Sequence, residues 1–193
     1  MIAMLSIHIG KGKAMSNLVN LLYTYQGLLS KSCGAEFGVD DIVVDWLKDC
    51  EEDQITMYVT DGIKEGFLRG IAVQETEDGY SVDLVAFEGE VDEVLELARK
   101  KLFKRIEAVI QEGHQVHPKK LAEDINERYV FRNWLTRIGW NGKEDRGFRM
   151  RLYAPLSGHT AFRTPADQKK WNERRKSKKE QHTCVDSETE VVS

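Results

Sequence analysis

Cysteine is scarce in this chain: Cys33, Cys50 and Cys184 are its only three in 193 residues. They have neither the paired spacing of a zinc site nor the density of a secreted scaffold, so reduced thiols in a cytoplasmic protein are expected. No apolar run approaches the roughly 20 residues that span a bilayer. Residues 1–9 are too short for a signal-peptide core and are interrupted by Ser6 and His8. An excess of positive charge is missing too, for the net charge is −4, which gives no overall pull towards nucleic acid. Gly10, Lys11, Gly12 and Lys13 suggest a phosphate loop, but the Walker spacing and its Gly-Lys-Ser/Thr ending are absent. His8 stands alone in a strand pattern. His114 and His117 are three apart, and the sequence offers them no carboxylate or cysteine partner. No metal site is expected.

What the chain does have is enough apolar residue, 41%, to bury a core in one domain with a tail. Its centre reads as three strands followed by a long helix. Residues 55–60 are β-branched and aromatic and stop at Asp61-Gly62, a turn pair. Residues 67–74 and 80–87 follow, separated by Glu75-Thr76-Glu77-Asp78-Gly79. Connections this short imply an antiparallel meander. The period then changes: Val91, Val94, Leu95, Ala98, Leu102, Ile106, Val109 and Ile110 fall on one helical stripe, acidic residues open it, and Gly113 ends it.

Upstream, alternation over residues 4–9 predicts a first strand. Ser16 is the expected cap of a helix whose apolar face runs from Leu18 to Leu29 and breaks at Gly34 and Gly38. Asp40 should cap a second, short helix with Val43, Val44, Leu47 and Cys50 inward and Trp46 as packing or rim. Downstream, residues 114–118 read as a loop or irregular strand and residues 119–138 as a helix stopped by Gly139. Alternation over residues 147–153 predicts a last strand. The expected organisation is a domain over residues 1–157 and a polar, flexible tail over residues 158–193. Lys169, Lys170, Arg174, Arg175, Lys176, Lys178 and Lys179 crowd around Trp171 in that tail. They are either a solvated run or a grip for nucleic acid.

This element order, with Asn126-Glu127-Arg128 and then Trp134-Leu135-Thr136-Arg137-Ile138-Gly139-Trp140, resembles the GNAT acetyltransferase superfamily. The likeness covers roughly residues 4–153. Within the superfamily it looks most like the GNAT-like internal virion or assembly proteins of short-tailed phages. The resemblance implies an α+β fold with a mixed, mostly antiparallel central sheet flanked by helices, and a disordered C-terminal tail. It also implies acetyl-CoA as the cofactor of active members, held where a strand turns into the long helix. Leu84, Val85 and Ala86 would then meet the pantetheine arm through their backbones, and Asn126 would be a further contact. Glu75, Asp83 and Tyr129 are the candidates for acid or base. Glu77 is a further carboxylate on the same turn.

The residues argue against that chemistry. A helix N-terminus favours an anion through its unsatisfied N–H groups and dipole. Here the junction carries Glu88, Glu90, Asp92 and Glu93 with one glycine, Gly89, and no Lys or Arg. Like charges about 5 Å apart repel by a few kcal/mol at a surface, and Asp92 and Glu93 can satisfy the helix terminus themselves. Leu135 stands where active members often place a tyrosine acid. The expectation is therefore an assembly or interaction protein without acyl transfer and with no cofactor, with the phage setting that the resemblance implies and a protein partner. The alternatives are an N-acyltransferase acting on an amine and a nucleic-acid-associated protein.

Overall fold

The computed structural model describes residues 5–84, 92–164 and 166–175. The fold is α+β, with helices packed on a small antiparallel sheet. Strand β1 (Leu5–Ile9) buries Leu5, Ile7 and Ile9 and turns Ser6 and His8 outward, as period-two alternation requires. It pairs antiparallel with β5 (Tyr80–Leu84), which pairs antiparallel on its other side with β4 (Ile71–Glu75), so the order is β1, β5, β4. Helix α4 (Glu93–Gln111) covers the outer edge of β1. Its Glu107 accepts from the His8 N–H at 2.9 Å, and its Gln111 donates to the His8 carbonyl at 3.1 Å. Side chains thus satisfy edge groups that would otherwise invite another strand.

Helix α1 (Lys13–Cys33) is the hub of the fold. Leu18, Leu22 and Leu29 are fully buried, and the apolar core is continuous around them. Polar side chains of α1 hold neighbouring backbone. Gln26 accepts from the Val39 N–H at 2.7 Å and donates to its carbonyl at 3.2 Å. Ser30 accepts from the Phe37 N–H at 3.0 Å. These bonds fix β2 (Gly38–Val39), which pairs with β3 (Leu68–Arg69) in a second, two-stranded sheet. Helix α1 begins after Gly12, so Ser16 lies inside it and does not cap it. Asp40 does precede α2 (Asp41–Lys48), although its side chain makes no capping bond. Trp46 packs at the rim, 5.9 Å from both Tyr58 and Phe67.

Four further expectations are corrected. Residues 55–60 are not a strand; they begin helix α3 (Ile55–Lys64), with Asp61 and Gly62 inside it. Ile55, Val59 and Gly62 are the buried positions, at spacings of four and three. That stripe suits a helix as well as the β-branched composition suits a strand, and packing against α1 and α2 decides between them. Residues 147–153 belong to helix α6 (Arg146–Tyr153). Phe148 and Leu152, four apart, face the core, and α6 packs on α4. Of the helix expected over residues 119–138, only α5 (Glu127–Arg137) forms. The sequence read as one strand over residues 67–74 divides into β3 and β4 at Gly70, whose φ of 87° suits glycine and where a Cβ would strike the Glu36 carbonyl. Residues 85–87, the end expected of β5, lie outside the described residues. The element order behind the resemblance thus changes at two places, a helix replacing a strand at each.

Candidate functional site

Helix α4 begins where the resemblance would put acetyl-CoA, and two N–H groups of that terminus already have an acceptor. The Asp92 carboxylate accepts from the Val94 and Leu95 N–H groups at 3.0 and 3.1 Å. Its other oxygen accepts from Arg151 Nε of α6 at 2.6 Å. The Leu95 N–H and Arg151 together hold the Asp92 carboxyl below the usual aspartate range, with the Val94 N–H adding to them. Glu93 follows in the first turn. Of the other predicted contacts, Leu84 is fully buried in the middle strand, with neighbours Leu5 on one side and Ile71 on the other. Its backbone therefore faces paired strands on both sides. Val85 and Ala86, like Glu88 and Glu90, lie outside the described residues. Leu135 is fully buried and faces no opening.

The proposed acids and bases are not gathered either. Glu75 ends β4 on an exposed turn, 3.4 Å from Lys11 Nζ. Glu77 is exposed on the same turn. Asp83 is buried in mid-β5 and accepts from the Ser6 hydroxyl at 2.5 Å. Tyr129 is half-buried on α5 and lines a cleft that none of these three carboxylates borders. Asn126 is a structural clamp: its Oδ1 accepts from the Tyr129 and His159 N–H groups, each at 3.1 Å, and its Nδ2 donates to the Phe162 carbonyl.

That cleft, of about 960 Å³, brings convergent polar groups around an apolar lining. It lies between α1, α5 and the segment 114–126, with Arg163 and Thr164 at its rim. Leu21, Thr24 and Tyr25 line it from α1, while Asn17, Asn20 and Thr24, at spacings of three and four on one helix face, hold the segment 116–119 that borders it. Asn17 accepts from the Val116 N–H at 2.9 Å, and Asn20 donates to the Val116 carbonyl at 3.0 Å. Thr24 accepts from the Lys119 N–H at 3.0 Å. A segment without helix or strand thereby gains hydrogen-bonded backbone.

The floor is aromatic and aliphatic. Tyr25 stacks on Trp134 with centroids 4.4 Å apart, and Leu21, Ile125 and Val130 lie around them. Arg137 Nη2 donates to the Tyr25 hydroxyl at 3.0 Å. Burial raises the Tyr25 pKa, and the guanidinium opposes that rise in part, so the phenol stays protonated at neutral pH. Around this floor stand Lys119, Arg137 and Arg163, against one acid, Asp124. Among the described residues no carboxylate pairs with these three cations, whereas Lys120 is 3.2 Å from Asp41. His114 and His117 also border the cleft, and His114 lies 3.9 Å from Glu112, a carboxylate that the sequence reading overlooked. Among the described residues no three metal-ligating side chains converge.

Sequence reasoning did not find these clamps on residues 116–119. Their only signal was two amides and a hydroxyl at helical spacing beside an apolar face, a pattern that a solvated helix also shows.

Residues 166–175, read from the sequence as tail, are helical. Lys169, Lys170, Arg174 and Arg175 lie there, whereas Lys176, Lys178 and Lys179 lie outside the described residues. Trp171 is 46% exposed, packs 5.6 Å from Phe162 and has Arg175 over its ring at 5.2 Å. Cys33 is fully buried with its thiol pushed up to about 12, so it has no thiolate to offer. Among the described residues no helix is long and apolar enough to cross a membrane. No protein-family model matches this sequence, and neither a comparison with curated proteins nor one with solved structures finds a match.

Proposed function

We propose that this chain is an interaction or assembly protein that does not transfer acyl groups, and that it meets its partner through the cleft between α1 and α5. One observation carries the reading. The N–H groups of Val94 and Leu95, which a nucleotide pyrophosphate would need, already bond to the Asp92 carboxylate, and Arg151 anchors that carboxylate. An incoming phosphate would have to displace a covalently tethered anion and then sit beside it and Glu93. Virion assembly is the setting that the resemblance implies, so a phage structural protein is the first partner to test. Titration calorimetry with acetyl-CoA checks the reading directly. No binding is expected, and micromolar binding would remove it in favour of the N-acyltransferase alternative.

A second reading rests on the helix over residues 166–175. Lys169, Lys170, Arg174 and Arg175 share one helix with a half-exposed tryptophan, a combination that suits phosphate contact and base stacking. Changing these four to glutamine and measuring DNA binding at two salt concentrations tests it. Unchanged affinity and an unchanged salt slope would exclude it.

A further inference from the structure

We propose that the cleft takes an acidic peptide segment of a partner protein, with an apolar side chain on its floor and carboxylates on Lys119, Arg137 and Arg163. The inference rests on the interaction reading above and supplies the chemistry of the partner.

Charge complementarity singles out the ligand. The whole chain carries a net charge of −4, yet the rim of this cleft is cationic. Opposite local charge in a concave surface concentrates anions there. Arg137 does not need a carboxylate to keep its place, because the Tyr25 hydroxyl holds it at 3.0 Å. It is thus oriented before any ligand arrives, which lowers the ordering cost of binding. The floor of Leu21, Ile125 and Val130 gains nothing from an inorganic anion and needs an apolar group.

Size and exposure favour a peptide over a small organic acid. The volume, about 960 Å³, lies at the top of the range for drug-sized ligands. Lys119, Arg137 and Arg163 are all exposed. Exposed cations contribute little each to holding a small anion, but together they steer and orient a larger charged surface. Asn17, Asn20 and Thr24 hold residues 116–119 by three hydrogen bonds from α1, so one side of the cleft is tied down before a partner comes.

The test uses the full chain and a fluorescein-labelled octapeptide of alternating glutamate and leucine, followed by anisotropy, with a glutamine–leucine octapeptide as control. Saturable binding at least about tenfold tighter than the control is expected, and it should weaken several-fold between about 50 and 200 mM salt. Arg163→Gln and Lys119→Gln should each weaken it a few-fold and together about tenfold, with an unchanged melting temperature. Arg137→Gln should weaken it further. Because Arg137 also bonds Tyr25, the rim pair keeps the test decisive if that variant melts early. Equal binding of the two peptides, indifference to the rim pair, or no saturation by millimolar peptide would each overturn the proposal. If acetyl-CoA also fails to bind, only this inference falls. If acetyl-CoA binds, the interaction reading falls with it.

Discussion

The N-terminus of α4 and the cleft across α1 and α5 are opposites. The first is the place where a helix dipole and free N–H groups should draw an anion, and the chain's own Asp92 already occupies it. The second borders the N-terminus of α5, which Asn126 caps, and it gathers cations that no carboxylate among the described residues pairs with. The contrast shows that an anion site depends on which donors remain unsatisfied once the chain has folded. Dipoles alone do not locate it. Asp92 also joins α4 to α6 through Arg151, so the capping carboxylate serves packing.

The comparison breaks most severely if the cleft floor is taken away. Phe131 is fully buried under Trp134, at 5.4 Å, and against Tyr153, at 6.0 Å. Phe131→Ala should cost about 3–5 kcal/mol, because the ring's transfer energy and the cavity it leaves add together. A urea melt reads this directly. A loss under about 1 kcal/mol would mean that α5 is not seated as described.

Next in size is the hold on residues 116–119. Asn17 is 6% exposed and supplies the acceptor for the Val116 N–H. Asn17→Ala should cost about 1–2 kcal/mol, the lower part of the range for an unpaired donor, because the Val116 N–H is only part-buried. Amide exchange at Val116 should accelerate while exchange in β5 stays slow. Equal acceleration at both places would show that segment 114–120 has no stability of its own to lose.

The closed terminus should reveal itself through pH. The Asp92 carboxyl is depressed, first by the Leu95 N–H and then by Arg151, and the Asp145 carboxyl is depressed by Lys101 and by Trp140 Nε1. A carboxyl whose folded pKa is below its unfolded value adds stability above the unfolded value. That stability is lost as pH falls through the ordinary aspartate range towards the folded value. The melting temperature should therefore drop from pH 5 to pH 3, and Asp92→Asn should flatten part of that slope while changing little at pH 7 beyond the loss of the Arg151 pair. An unaltered slope would mean that Asp92 is not the cap.

Those two regions were unequally legible in the sequence. The α4 stripe, its acidic opening and the self-capping role of Asp92 all lie within a few residues, so local chemistry exposes them. The cleft depends on Asn17 meeting Val116 and Thr24 meeting Lys119, partners about a hundred residues apart that no periodicity connects. The same limit explains α3 and α6. Each is ten residues or fewer, and over that length Ile55 to Thr60 and Gly147 to Tyr153 satisfy both a two-residue and a helical period. Only the neighbours that cover Val59 and Leu152 decide. Residues 119–126 failed as helix for a related reason: α5 follows its cap Asn126 and begins at Glu127, eight residues later than expected.

The smallest effect belongs to Glu75, and it sharpens the contrast between a charged residue that is placed and one that is not. Its pair with Lys11 has side chains 66% and 54% exposed and a separation of 3.4 Å. Such a pair contributes about 0–1 kcal/mol, because water screens it and two long side chains must be ordered to make it. Glu75→Gln should therefore leave the melting temperature within about 2 °C of the parent. It should leave octapeptide binding unchanged as well, since Glu75 does not border the cleft. The experiment also addresses the carboxylate that the acyltransferase alternative would need. If acetyl-CoA-dependent acylation of any amine were found and Glu75→Gln abolished it at unchanged stability, the sheet end and not the cleft would be the working part of the molecule.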